Sequence, residues 1–215
     1  MNKIQLLQSL KSQGFSNKII NAFSKVKREN FVPENLKKNS YEDIPLPIGN
    51  GATISQPYTI ALMLSLLELK KGQKILEIGS GCGYVLALIS LIIGNGKVFG
   101  VEIIKELADK SGENLREYKN IEIYNKNGSE GLEEFAPFDR ILISAACRKI
   151  PKKFSNQLKE KGILVIPLGK YEQSLVKFQK VKNKIIIKKK IPGFIFVPFV
   201  EDAKNFISGW KVSII

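Results

Sequence analysis

Leu76 to Tyr84 reads LEIGSGCGY, an apolar run that opens into three glycines set at alternate positions. Glycine takes up left-handed backbone angles at no steric cost, and its missing side chain lets main-chain amides come close to a ligand. Between a strand and a helix, such a turn aims those amides outward at the helix N-terminus. Both flanking elements are legible. Lys74 to Ile78 is a strand-length apolar run, and Tyr84 to Ile93 is a helix-length one. A nicotinamide or flavin fingerprint needs G-x-G-x-x-G, but here the third glycine arrives one residue early and Tyr84 stands in its place. The dinucleotide reading is therefore disfavoured, and a tight turn without a ligand is the bland alternative.

Downstream the same alternation repeats. Apolar runs at Lys97 to Glu102, Ile121 to Tyr124, Phe138 to Ser144 and Ile163 to Pro167 read as strands. Helical segments at Ile104 to Tyr118 and Lys152 to Lys159 lie between them. Strand and helix in turn imply an α/β fold, a doubly wound, mainly parallel sheet with helices on both faces. Ser174 to Val181 and Ile185 to Ile191, joined by Lys182, Asn183 and Lys184, read as a hairpin closing one edge. Upstream, the first fifty residues read as short helices, with Ile4, Leu7 and Leu10 on one face and Ile19, Ile20 and Phe23 on another. Ile44 to Gly51 (IPLPIGNG) reads as an ordered loop rather than a regular helix, because Pro45 and Pro47 remove donors and bias their predecessors toward extended geometry. Ser55, before Gln56 and Pro57, reads as the cap of an apolar helix running to Leu69.

The chain has 215 residues, 44% hydrophobic and 25% charged, enough for one sizeable core. The expectation is a single domain over 1–215: a helical extension over 1–50, an α/β core over 51–168 and a β-rich edge over 169–215. With no uninterrupted apolar stretch of about 18 residues and no signal-peptide core near Met1, a soluble cytoplasmic protein is expected. Cys82 and Cys147 lack paired-ligand spacing, which argues against a zinc site or disulfide scaffold. There is no histidine, so imidazole triads, ligands and acid/base catalysis are excluded. The formal charge of +14 attracts polyanions in general. Lys180, Lys182, Lys184, Lys188, Lys189 and Lys190 crowd the hairpin, where protection of a sheet edge is favoured over a nucleic-acid footprint.

Ligands of open α/β sheets bind beyond the carboxyl ends of the strands. Glu102 ends its strand about 20 residues after the glycine turn, where a carboxylate can accept hydrogen bonds from ribose hydroxyls; a solvated strand-end carboxylate is the alternative. Asn127-Gly128 follows the next strand, within reach of an adenine edge, although Asn-Gly alone is more often a turn.

Taken together, LEIGSGCGY, Glu102 and APFDRILISAA (Ala136 to Ala146) resemble successive signature blocks of class I S-adenosylmethionine-dependent methyltransferases. PLPIGNGATISQP (Pro45 to Pro57) narrows the resemblance to the protein-L-isoaspartate O-methyltransferases, whose Thr-Ile-Ser-x-Pro run is matched by Thr53, Ile54, Ser55 and Pro57. Phe31-Val32-Pro33, Pro167-Leu168-Gly169 and Phe196-Val197-Pro198 match further blocks. The chain departs from the family pattern at Ala52, at Asn127 where an acidic residue is usual, and at Ile195 where arginine is frequent.

The resemblance implies a Rossmann-like fold and methyl transfer from S-adenosylmethionine to the free carboxylate of isoaspartyl residues, as protein repair, leaving S-adenosylhomocysteine and using no metal. It implies cofactor contacts from Thr53, Glu77, Gly79, Ser80, Gly81, Gly83, Glu102, Asn127 and Gly128. Substrate contacts fall to Ile54, Ser55, Ala145, Val197, Pro198 and Phe199, with Ser55 in the catalytic role. Isoaspartyl peptides and proteins are the implied partners; the sequence does not fix the oligomeric state. A methyltransferase acting on RNA and a non-catalytic S-adenosylmethionine-binding protein are the rival readings, the first supported only by charge.

Overall fold

The computed structural model describes residues 1–200; the end of the expected β-rich edge, 201–215, lies outside the described residues. Seven strands form one sheet: β3 (Lys74–Ile78), β4 (Lys97–Glu102), β5 (Ile121–Asn125), β6 (Phe138–Ile143), β7 (Leu158–Leu168), β8 (Gln173–Val181) and β9 (Lys184–Phe194), in spatial order β5-β4-β3-β6-β7-β8-β9. The first five pair in parallel, and β8 and β9 add antiparallel.

Side chains alternate across a strand, and this sheet buries both sets. Ile75, Val98, Leu142, Ile163 and Val165 belong to one apolar cluster. Their neighbours Leu76, Phe99, Ile141, Ile143, Leu164 and Ile166 belong to another. The first face is covered by α2 (Asn17–Lys25), α3 (Pro57–Leu67), α4 (Tyr84–Ile93) and α5 (Lys105–Asn114). The second is covered more thinly, by Phe154 of α6 (Lys152–Gln157) and by Leu132 and Phe135 near short 3-10 turns. Each such side chain contributes about 1.5–3 kcal/mol when fully buried.

The hairpin forms as expected, its turn made by Lys182 and Asn183 with φ of 50° and 61°. Lys184, Lys188, Lys189 and Lys190 stand exposed on β9, at the end of the sheet.

Three local expectations are corrected. In α1 (Lys3–Ser12) the buried stripe is Leu6 and Leu10, while Ile4 is 66% exposed, because Leu6 and Leu10 are one i,i+4 step apart and Ile4 falls outside that stripe. Ile44 to Gly51 is not loop throughout: β1 (Leu46–Gly49) and β2 (Ala52–Ile54) pair antiparallel around Asn50 and Gly51, both at positive φ. Asn-Gly favours that turn, and Pro47 is tolerated in a strand with a neighbour on one side only. Lastly, β7 starts at Leu158 and α6 stops at Gln157, because Leu158, 1% exposed, already pairs with Phe138.

Strand β3 has β4 on one side and β6 on the other, so the chain leaves it in both directions. A crevice opens at its carboxyl end, where such a sheet binds ligands.

Candidate functional site

The turn after β3 is fixed from below. Gly79 and Ser80 donate their N–H groups to the Val101 carbonyl at 2.8 and 3.2 Å, and Asn114 of α5 donates its side-chain amide to the Cys82 carbonyl at 3.0 Å. The Glu102 carboxylate accepts from Gly81 N–H at 2.8 Å and Ile104 N–H at 3.0 Å. Two main-chain donors thus hold it still at the cleft floor with lone pairs to spare. Burial raises its pKa, opposed by those backbone hydrogen bonds.

Glu77 is more unusual. It is fully buried, with one oxygen accepting from Ser144 Oγ at 2.7 Å and the other, Oε2, unpartnered among the described residues. Burial pushes this carboxyl up to about 8, with the Ser144 hydrogen bond opposing and repulsion from Glu102 adding. Ser80 Oγ is also buried and unpartnered. A buried polar atom without a partner costs roughly 1–3 kcal/mol, and here two such residues line the same cleft.

Both residues line the cleft at the carboxyl end of β3, the place where ligands of such sheets bind. Its walls bring together Thr53, Ile54, Ser55, Glu77, Gly79, Ser80, Gly81, Glu102, Gly128, Ala145, Val197, Pro198 and Phe199, all assigned from the sequence. Ile48, Met63, Cys82, Tyr84, Val85 and Ser144 also line it and were not assigned. On the open side, Ala146 N–H donates to the Val197 carbonyl at 2.8 Å and Phe199 N–H to the Ala146 carbonyl at 2.9 Å, zipping Val197 to Phe199 onto the end of β6. Buried Gln173 holds the same run: its amide accepts from Phe196 N–H at 2.6 Å and donates to the Phe196 carbonyl at 3.2 Å. A second basin shares Pro198, Phe199 and Val200 with the cleft and carries Arg148, Lys149, Lys170 and Tyr171.

Ser55 does not cap α3. Gln56 is the residue at the cap position, without a side-chain cap bond, and Pro57 is the first helical residue. The donor that a serine cap would have satisfied, Tyr58 N–H, instead reaches Asp43 Oδ1 at 2.8 Å. The Ser55 hydroxyl has no hydrogen-bond partner among the described residues, and Ser55 lines the cleft.

Two assigned residues are not brought to the cleft. Asn127 is exposed, and its side-chain oxygen accepts from Ser129 N–H at 2.9 Å in an Asx-type turn. Gly83 is the N-cap of α4 at φ 85°, and a Cβ there would sit 2.4 Å from Ser111 Oγ and 2.6 Å from Leu115 Cδ1. Its task is close packing of the turn against α5. Gly83→Ala should therefore cost about 2–4 kcal/mol, combining left-handed strain with overpacking. That corresponds to roughly 5–15 °C in melting temperature by scanning calorimetry; an unchanged melting temperature would show that α5 yields freely.

Residues 1–204 match the family model for protein-L-isoaspartate(D-aspartate) O-methyltransferase. The chain belongs to this family. It is 42% identical over 203 residues to the protein-L-isoaspartate O-methyltransferase of Methanothrix thermoacetophila, covering 93% of this chain and 95% of the relative. It is 43% identical over 196 residues to that of Fervidobacterium nodosum, covering 90% and 98%. Among solved structures, the Plasmodium falciparum protein-L-isoaspartate O-methyltransferase in complex with S-adenosyl-L-homocysteine superposes with a TM-score of 0.83 at 29% identity, covering 94% of this chain and 100% of that one.

Two of the three departures from the isoaspartate methyltransferase pattern fall on exposed residues. Ile195 is 92% exposed, and Asn127 is exposed beside its turn. Ala52 is half-buried in β2 and touches the cleft by its small side chain. Gln173 and Ser144, missed in the sequence, act by holding other cleft residues. A signal for them exists only as polar residues inside apolar strand ends, which many solvated positions share.

Proposed function

We propose that this chain is an S-adenosylmethionine-dependent protein-L-isoaspartate O-methyltransferase, transferring a methyl group to the free α-carboxylate of L-isoaspartyl residues in damaged proteins. The observation that carries the reading is the meeting, in one cleft, of the glycine turn and the Thr53–Ile54–Ser55 block in a chain of this family. Near-full-length relatives of the same name support it.

The residues present suit the cofactor. Glu102 stands ready for paired hydroxyls, and Glu77 and Ser80 offer unpartnered buried oxygens to a cationic, polar group. The cofactor supplies a methyl group activated by a sulfonium. An α-carboxyl ionises near pKa 3.5, so the attacking oxygen is already charged at neutral pH and the chain needs no general base. The carboxylate oxygen takes the methyl carbon as the carbon–sulfur bond breaks, and opposite charges vanish together. Charge cancellation of this kind is helped by walls that exclude water, here Ile48, Met63, Val85 and Val197. What remains is orientation, worth up to about 7–11 kcal/mol. Ser55 meets the substrate carboxylate, and Val197 to Phe199 lie along the peptide, with Ala145 leaving room at the point of transfer. The ester formed then closes spontaneously to a succinimide.

Cys82 and Cys147 are buried and not joined to each other, and no helix of the described residues is long and apolar enough to cross a membrane. A reducing cytoplasm suits both facts. The deciding experiment supplies methyl-labelled cofactor with paired isoaspartyl and aspartyl peptides and measures methanol release. Label should leave with the isoaspartyl peptide alone; equal labelling of the pair would reject repair of isoaspartate.

A further inference from the structure

The link that carries Ser55 has no sheet ladder of its own, since β2 ends at Ile54 and α3 starts at Pro57. Arg28 grips it from behind. This side chain is fully buried; its Nη2 donates to the carbonyls of Ser55 at 3.1 Å and Ile44 at 3.2 Å, and its Nη1 points to that of Glu42 at 3.5 Å. The Tyr84 ring, part of the cleft wall, lies 5.9 Å from the guanidinium carbon.

Among the described residues no carboxylate forms a salt bridge with Arg28. A buried guanidinium bound to carbonyls alone is costly to keep, and burial lowers its pKa, opposed by Tyr84, Cys82, the Asp43 carboxylate and Tyr41 nearby. What it supplies in return is a planar fork that fixes several acceptors at once, which the single ammonium of lysine does not reproduce. Asp43, between the gripped carbonyls, ties the same turn to α3 through Tyr58 N–H at 2.8 Å. The Ser55 carbonyl and the first turn of α3 beyond it are therefore anchored to one turn, Glu42 to Ile44.

We propose that Arg28 is a positioning residue for methyl transfer, setting the place of the Ser55 hydroxyl in the cleft by holding the Ser55 carbonyl against the Glu42–Ile44 turn. The inference rests on the isoaspartyl reading above. It distinguishes Arg28 from a residue that serves folding alone, because it acts through one side chain whose removal should make it redundant.

The test compares Arg28→Lys, which keeps the charge and loses the fork, with wild type, with Ser55→Ala and with the double variant. Arg28→Met is a harsher control. For Arg28→Lys, kcat on an isoaspartyl peptide should fall roughly ten- to hundredfold, while cofactor Kd stays within about threefold, since Glu77 and Glu102 are untouched. In the Ser55→Ala background the same change should cost little more, the signature of residues acting as one unit. Hydrogen exchange should accelerate over residues 44–58 and stay unchanged in β3 and β4. Wild-type kcat, additive losses, or unaltered exchange over 44–58 would each overturn the proposal. If the wild-type chain leaves isoaspartyl peptides untouched, the functional reading fails instead, and the exchange comparison still decides whether Arg28 holds the Ser55 link. If Arg28→Met does not fold, Arg28→Lys alone carries the test.

Discussion

Cofactor affinity is expected to rise by up to about tenfold for each pH unit between roughly pH 6 and 8, and to level off above that. The cause is Glu77, whose burial holds the carboxyl neutral up to about pH 8 in the free protein. Only the ionised form attracts a cationic ligand, so binding at pH 6 must first release this proton. Titration calorimetry in buffers of different ionisation heat reads both the affinity and the proton release. Glu77→Gln should flatten the curve, and a flat curve in wild type would remove Glu77 from the cofactor site.

The same group sets a stability trend in the free protein. Its folded pKa of about 8 lies above the ordinary 4.5, so native and unfolded chains differ by one proton between those values. Stability from this group is fully present below about pH 4.5 and is lost as pH rises through about 8, at up to about 1.4 kcal/mol per unit. Bound cofactor should blunt that loss. The cofactor's own amino group also loses its proton in alkali, so the affinity trend is read below about pH 8.

The elements that could be read directly are those whose signal is local. Tyr84 to Ile93 is a helix with the bounds its apolar run implies, and β3 and β4 coincide with theirs. The glycine turn and Glu102 follow from these, because a turn between a strand and a helix has one place to be. The illegible features depend on partners distant in the chain. Ser55 looks like a cap until Asp43, folded back from the preceding turn, takes the donor. Arg28 is one of four arginines in a lysine-rich chain, and nothing beside it shows that three carbonyls will converge on its fork. Gln173 reads as a strand residue, yet it braces Phe196 from 23 positions away. Asn127 is read by its place after β5, and its sequence neighbours alone do not show that its oxygen accepts from Ser129 N–H.

Ser55→Ala is expected to lower kcat/KM for an isoaspartyl peptide roughly ten- to hundredfold while leaving both folding and cofactor binding nearly unchanged. The three readouts separate three roles. A cap would cost about 1 kcal/mol of stability on truncation, but α3 takes its capping acceptor from Asp43 and the Ser55 hydroxyl bonds to nothing among the described residues. The melting temperature should therefore stay within about 2 °C of wild type. A cofactor contact would raise the cofactor Kd, which Glu77, Ser80 and Glu102 should instead keep within about threefold. The loss should fall on turnover because a carboxylate with two equivalent oxygens and free rotation needs a donor to aim one lone pair along the carbon–sulfur axis. That donor helps by direction rather than by charge, since the carboxylate loses its charge as the new bond forms and a stronger hydrogen bond would only hold back the reactant. Undiminished turnover in Ser55→Ala would leave Ser55 as part of the wall, and a matching fall in melting temperature would move its role from the reaction to the fold.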